Sequence, residues 1–136
     1  MPEYNVKNGS GFPNTRMRRN RQSSWIRRLV AENQLSKNDL ILPLFVKEGK
    51  DSIEPIDSMP FVYRYTIDNL VKITREAKNL GIPLIALFPV VENNKKTKNG
   101  DEAYNKDNLI CRAIKSIKDT VPDIGIMADV ALDPYT

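Results

Sequence analysis

Two aspartates near the end of the chain, Asp129 and Asp133, have the residue type and setting that could do chemistry. They fall in the segment MADVALDPYT, which continues an apolar run over 124–130 that predicts a buried strand. Because side chains alternate along a strand, both aspartates are predicted to point to the same side. A carboxylate in an apolar strand is costly to bury unless it is paired, hydrogen-bonded or bound to a cation. Asp129 is therefore a predicted site residue. The alternative is a structural role, in which Asp129 accepts hydrogen bonds from a neighbouring strand or loop.

The spacing of the two aspartates limits what they could do together. In a continuous strand they would lie about 13 Å apart, at roughly 3.3 Å per residue, which is too far for one shared proton or one shared metal ion. Pro134 predicts a turn directly after Asp133. A cap or turn role for Asp133 is therefore at least as well supported as a role in a functional site.

Other residue types exclude whole classes of site. The 136 residues include no histidine and one cysteine, Cys111, which excludes histidine triads, histidine metal sites, multi-cysteine zinc sites and an intramolecular disulfide. Cys111 lies between apolar neighbours on a predicted helix and is predicted to be a buried core residue. The glycines lack the spacing of a nucleotide-binding loop.

Positive charge is concentrated in the first 36 residues, a basic arm with seven Lys or Arg and two acidic residues. Residues 37–136 are nearly balanced, with 14 Lys or Arg and 15 Asp or Glu. The arm could contact phosphates, but no pattern of base-stacking aromatic residues accompanies it. Trp25 lies on the apolar side of a short predicted helix after Ser23 and Ser24, which favours docking onto another subunit over binding nucleic acid.

The elements that must position these residues alternate between strand and helix. Apolar runs predict strands over 40–46, 84–88 and 124–130, and apolar periodicity predicts helices over 66–80, with Gly81 as a stop, and over 109–117. This order predicts an α/β fold with a parallel sheet. The long connections, 47–65 and 91–106, both follow strands, so the active site is expected at the carboxyl ends of the strands. Within the second connection, Lys95 to Glu102 is equally consistent with a lid and with a solvated loop.

The location of the chain is constrained by its apolar runs. The longest spans residues 82–91 and is broken by two prolines, whereas a membrane helix needs about 20 apolar residues. The first two dozen residues lack the pattern of a secretory signal. We therefore expect a cytoplasmic protein with no membrane partner.

Several segments, spread over residues 16–136, together resemble the N-terminal part of the porphobilinogen synthase family, also called 5-aminolevulinate dehydratase. They are RMRRNR, DLILPLFVKEG, IDSMPFVYRYTIDNL, GIPLIALFPV, DEAYN and DVALDPYT. The resemblance implies an extended N-terminal arm over 1–36 and, over 37–136, the first three strands and two helices of a (β/α)8 TIM barrel. It also implies a homo-octamer, assembled through the arm.

The activity implied by the resemblance is the condensation of two 5-aminolevulinate molecules to porphobilinogen, with loss of two waters. Asp129 matches the family's strand-end aspartate, which orients substrate or assists proton transfer. The Schiff-base lysines of the family belong to later strands and are absent from this sequence. Zinc-dependent members place cysteines where this chain has Ala131 and Asp133, so the resemblance implies Mg²⁺ rather than catalytic Zn²⁺, with Asp133 as a candidate metal contact. The alternative is an inactive remnant that at most co-assembles through its arm.

Overall fold

A computed structural model describes residues 18–136 of the chain. Residues 1–17, including the predicted irregular stretch 1–15 and Arg16 of the basic arm, lie outside the described part. The chain divides between Leu35 and Ser36 into two compact units, which are described separately.

Over its described residues, 18–35, the first unit contains a 3-10 turn, Arg19–Arg21, and a short helix, α1, Ser24–Leu29. Ser23 occupies the N-cap position with extended backbone, although its side chain makes no capping hydrogen bond. The Arg27 guanidinium instead reaches back and donates a 2.8 Å hydrogen bond to the carbonyl of Arg21. The predicted short helix is confirmed, and its Trp25 side chain is 61% exposed.

The second unit is built on one five-stranded sheet with two helices. Its elements are β1 Ile41–Val46, β2 Ile53–Pro55, β3 Tyr63–Tyr65, α2 Ile67–Leu80, β4 Leu84–Pro89, α3 Leu109–Thr120 and β5 Gly125–Ala128. The strand order is β2-β3-β1-β4-β5, and only the β2–β3 pair is antiparallel. The α/β prediction is confirmed, as are the two long helices and the parallel pairing of the three predicted strands.

β1 tolerates a proline because of where its partners lie. It pairs with β4 along its whole length, from Ile41 with Leu84 to Val46 with Pro89, whereas β3 pairs only with Phe45 and Val46. In the described part of the chain, the half of β1 that contains Pro43 therefore has a partner strand on one side only. Proline lacks a backbone donor and is found at such sheet edges.

Local sequence determines where the helices begin and end. Thr66 precedes α2 in extended conformation, and Gly81 ends it with a φ of 87°, a left-handed conformation that glycine adopts without steric cost. Asn108 caps α3, since its side-chain carbonyl accepts a 2.9 Å hydrogen bond from the backbone N–H of Cys111.

Both helices pack on one face of the sheet and form the core with it. The strands contribute alternate residues, among them Leu44, Val46, Ile85 and Leu87, which are at most 4% exposed. The helices contribute Leu70, Ala77, Leu109, Ile110, Ala113 and Ile117. The opposite side chains of the same strands remain more open, with Ile41 48% and Met127 47% exposed.

Two expectations from the sequence are wrong in this unit. Residues 47–65 are not a plain connection, because β2 and β3 form a hairpin within it that extends the sheet beyond β1. Cys111 is exposed and does not belong to the core. It lies about 100° around the helix from Ile110, past the edge of the stripe that faces the sheet.

No helix among residues 18–136 combines the length and the apolar character required to cross a bilayer.

Candidate active site

The carboxyl ends of β1, β4 and β5 lie at one edge of the sheet, and each is followed by a polar segment. Lys47 and Glu48 follow β1, the segment 90–108 connects β4 to α3, and Asp129 follows β5. The predicted placement of the long connections at this edge is confirmed. In parallel α/β sheets this is the edge where loops can vary without disturbing the core.

Asp129 lies directly after β5 and not within it, which corrects the predicted strand over 124–130. β5 ends at Ala128, where its register with β4 ends at Leu87. In the described part of the chain no strand pairs with the other edge of β5, so no ladder keeps the next residues extended. The Asp129 side chain is exposed, and the cost of burying a carboxylate therefore does not apply to it.

Asp133 opens a 3-10 turn, Asp133–Tyr135, with Pro134 as its second residue. Its backbone carbonyl accepts a hydrogen bond from the Thr136 hydroxyl at 3.3 Å, and its side chain is exposed. The predicted turn is confirmed. The prediction that Asp129 and Asp133 share one side of a strand is wrong, because neither lies in a strand.

The loop over 90–108 is anchored at several points. Backbone at Thr97 donates a 3.1 Å hydrogen bond to the carbonyl of Tyr135. Gly100, with a φ of 66°, is buried against the side chains of Leu132, Tyr135 and Thr136. These contacts tie the middle of the loop to the segment that follows β5. Lys95 to Glu102 is thus a docked segment and not a fully solvated loop, whereas its role as a lid stays a prediction.

Glu48 connects this loop to the end of β1. One carboxylate oxygen accepts hydrogen bonds from the Lys95 ammonium at 2.8 Å and from the Arg112 guanidinium at 2.6 Å. Burial alone would raise the pKa of Glu48, but the two cations outweigh it and hold the pKa below its usual value of 4.5. Glu102 lies 3.9 Å from Lys95 and extends the cluster.

A second charged cluster lies on the hairpin side of β1. Glu54 of β2 accepts hydrogen bonds from the Lys47 ammonium and, at 2.5 Å, from the Arg64 guanidinium. These hydrogen bonds lower the pKa of Glu54. Together with Glu48 and Glu92, the cluster lines an open cleft at the carboxyl ends of the strands.

Sequence reasoning missed both clusters. Glu48 and Arg112 are 64 positions apart, and Lys95 and Glu48 are 47 apart, so no local spacing marks them as partners. Only the position of Lys47 and Glu48 in the sequence could have indicated them. Charged residues directly after a buried strand are expected at the carboxyl edge of a parallel sheet, where active sites lie.

Comparison with known proteins identifies the group to which the chain is related. The family model described as delta-aminolevulinic acid dehydratase matches residues 14–136. The chain belongs to this family.

Named relatives agree with the family model. The dehydratase of Bradyrhizobium diazoefficiens is 47% identical over 121 residues, which cover 89% of this chain and 34% of the relative. That of Chlamydia pneumoniae is 40% identical over 121 residues, covering 89% of this chain and 36% of the relative. The chain therefore spans about a third of the length of these relatives.

A solved dehydratase has the same fold over the matched region. It is the delta-aminolevulinic acid dehydratase (porphobilinogen synthase) of Toxoplasma gondii ME49, in complex with the reaction product porphobilinogen. The TM-score is 0.81 at 43% identity, over 89% of this chain and 34% of that chain. The α/β architecture described above is thus that of the corresponding part of a delta-aminolevulinic acid dehydratase.

Family membership bears on the metal question at the carboxyl edge. Residues 18–136 contain no group of three or more His, Cys, Asp or Glu side chains that could hold a metal ion. Asp133 is exposed and stands beside Pro134 in a turn, and Ala131 offers no ligand atom. These residues alone do not fit a metal centre built by the protein.

Proposed function

We propose that the chain is the N-terminal portion of a porphobilinogen synthase. In this reaction two molecules of 5-aminolevulinate condense to porphobilinogen with loss of two waters, a lyase step in the formation of haem and other tetrapyrroles. The observation that carries the proposal is the match of the delta-aminolevulinic acid dehydratase family model over residues 14–136. The product bound in the Toxoplasma gondii neighbour supports it from the structural side.

The finer architecture we propose is an N-terminal arm, residues 1–36, followed by the first three strands and two helices of a TIM barrel, residues 37–136. Open sheet edges support it, because β5 and the first half of β1 each lack a partner strand on one side within the described residues. The sheet face away from the helices is also apolar, with Phe45 and Phe88 in contact at a ring separation of 5.8 Å. Further strands of a barrel would pair these edges and cover this face.

Asp129 is the residue we assign to the reaction. An exposed carboxylate at the carboxyl end of a parallel strand is accessible to a small substrate and can accept or donate a proton at its oxygens. Its role would be to orient 5-aminolevulinate or to assist proton transfer. The covalent steps require lysines that form Schiff bases. We place these lysines outside the 136 residues, so that the chain alone would have no activity.

Mg²⁺ is the metal we propose for the complete enzyme, because the segment DVALDPYT lacks the cysteines of a thiolate zinc site. Asp133 would contribute one carboxylate to its coordination. Since the described residues do not assemble a metal centre, no step of the reaction is assigned to a metal held by them.

The arm is the element we propose for assembly into a homo-oligomer, an octamer by resemblance. The exposed apolar side chains of α1 support this role, since Trp25 is 61% and Leu29 75% exposed. Exposed tryptophan is enriched at the energetic centres of protein interfaces. We propose a cytoplasmic enzyme with 5-aminolevulinate as its substrate and with no nucleic-acid or membrane partner.

The deciding experiment uses the natural polypeptide that carries this sequence. Its intact mass in source cells is measured first, and the purified protein is then assayed for pyrrole formation from 5-aminolevulinate with Mg²⁺. A mass well above 15.5 kDa with pyrrole formation is the expected result. A polypeptide of 15.5 kDa that forms no pyrrole, but co-assembles with an active dehydratase, would establish the inactive remnant instead.

A further inference from the structure

Glu48 is a partly buried carboxylate that joins three elements around the carboxyl edge of the sheet. It follows β1 directly, and it is bonded to Lys95 in the 90–108 loop and to Arg112 in α3. Its side chain is only 24% exposed, and those of Lys95 and Arg112 are 36% and 42% exposed. Charge-assisted hydrogen bonds in such partly enclosed settings are stronger than those of fully solvated pairs.

The loop held by Glu48 is in turn attached to the segment after β5. Two residues beyond Lys95, the Thr97 N–H binds the carbonyl of Tyr135 at 3.1 Å. Tyr135 is 8% exposed and lines a small enclosed pocket together with Glu48, Lys95 and Glu102. A short series of contacts thus runs from Glu48 through the loop to the segment 129–136.

The segment after β5 needs such support because its own strand does not provide it. β5 has only four residues and stops at Ala128, one residue before Asp129. Val130 is fully exposed and Leu132 is half exposed, so Asp129 has little packing around it. The contacts that fix the segment lie further along, at Tyr135 and Thr136, where the loop docks.

We propose that Glu48 is a positioning residue, which fixes the 90–108 loop through Lys95 and Arg112 and thereby holds the segment that carries Asp129. The catalytic consequence rests on the proposed function, whereas the mechanical link between Glu48 and the segment does not. Glu48 itself need not touch substrate.

The test is made in the natural polypeptide with Glu48→Gln, which keeps the size of the side chain and removes its charge. Amide hydrogen exchange is measured for residues 95–105 and 129–136. We expect roughly tenfold faster exchange in both segments, the size of effect that the loss of a charged hydrogen bond produces. Lys95→Met removes the hydrogen bond between Lys95 and Glu48 from the loop side, and it is expected to accelerate exchange in the same two segments.

Glu92→Gln is the matched control. Glu92 is an exposed glutamate of the same loop and lines the same cleft, but its side chain makes no hydrogen bond or ion pair among the described residues. Its backbone carbonyl accepts a 2.9 Å hydrogen bond from the Lys95 N–H, which the substitution leaves in place. In Glu92→Gln, amide hydrogen exchange over residues 95–105 and 129–136 is expected to stay within about twofold of the wild type, as for an ordinary surface substitution. Unchanged exchange over 129–136 in both Glu48→Gln and Lys95→Met would overturn the proposal.

Kinetics then separate positioning from general loss of structure. Glu48→Gln is expected to lower kcat for pyrrole formation about tenfold with little change in KM, and to have almost no further effect in an Asp129→Asn background. Additive effects of the two substitutions would contradict a role through Asp129. If the wild type forms no pyrrole, the proposed function fails, and the exchange data alone decide whether Glu48 holds the segment.

Discussion

The two ends of the sheet are built in different ways. At the amino ends of β4 and β5, the connections from the preceding helices are short, over 81–83 and 121–124. Backbone hydrogen bonds close them, among them the 2.8 Å bond from the Gly125 N–H to the Pro83 carbonyl. At the carboxyl ends the connections are long, and ion pairs between residues far apart in sequence, such as Glu48 with Arg112, hold them. The amino end therefore serves stability, while the carboxyl end carries exposed and charged groups available for chemistry.

Asp129→Asn should have the largest effect on activity and almost none on folding. If Asp129 orients substrate or moves a proton, pyrrole formation by the natural polypeptide should fall by about 100-fold or more. Because the side chain is exposed, the unfolding midpoint in urea should not change. Asp119→Asn, an exposed aspartate of α3 near the opposite end, is the control and should retain full activity.

Gly81→Ala should have the opposite pattern. The φ of 87° at Gly81 is a conformation that costs an L-residue about 1–2 kcal/mol. A Cβ there would also lie 3.1 Å from the Lys37 side chain. Urea unfolding is expected to show this loss, with kcat unchanged. A fall in kcat as large as that of Asp129→Asn would contradict the division of roles between the two ends.

Gly125→Ala tests the close packing at the amino end of β5. A Cβ on Gly125 would meet Leu84 Cδ1 at 2.7 Å and the carbonyl oxygen of Pro83 at 3.1 Å. The leucine side chain can move but the backbone carbonyl cannot, so a loss of about 1 kcal/mol is expected. Denaturant unfolding measures it, and an unchanged midpoint would mean that the turn over 81–83 adapts more easily than its backbone bonds suggest.

The sequence predicted regular structure well and the site only in outline. β1 and β4 were visible because apolar runs of six residues, Ile41–Val46 and Leu84–Pro89, cannot be confused with a solvated loop. β2 and β3 were not visible, since each has three residues and contains a charged residue, Glu54 or Arg64. Three residues are too few to show a period of two.

Asp129 shows why the site was harder to predict than the fold. Its residue type and its position near a strand end could be predicted from the sequence. The end of β5 at Ala128, however, depends on where β4 stops providing hydrogen-bonded partner residues. Likewise, the exposure of Cys111 depends on which helix face meets the sheet, and its apolar neighbours in sequence do not determine that. Contacts between residues far apart in sequence therefore decide both the end of β5 and the exposure of Cys111.

Acid should loosen the carboxyl end through Glu48. Because the folded-state pKa of Glu48 lies below its usual 4.5, its contribution to stability is complete above that pH and is lost as the pH falls through the lower folded value. Hydrogen exchange of residues 95–105, corrected for intrinsic rates, should therefore rise below pH 4.5 in the wild type. In Glu48→Gln, the exchange should already be fast above pH 4.5, and its further rise as the pH falls should be smaller than in the wild type.

The smallest effect is expected from the ion pair at the amino end, Lys78 with Asp123 at 2.6 Å. Hydrogen bonding from Lys78 lowers the pKa of Asp123, but the Asp123 side chain is 75% exposed and water screens the pair. Asp123→Asn should therefore leave the urea unfolding midpoint almost unchanged, and the small difference should shrink further in high salt. If urea unfolding gave a loss as large as that of Gly81→Ala, ion pairs would contribute to both ends of the sheet. The amino end owes its stability to glycine geometry and backbone hydrogen bonds, which salt does not weaken.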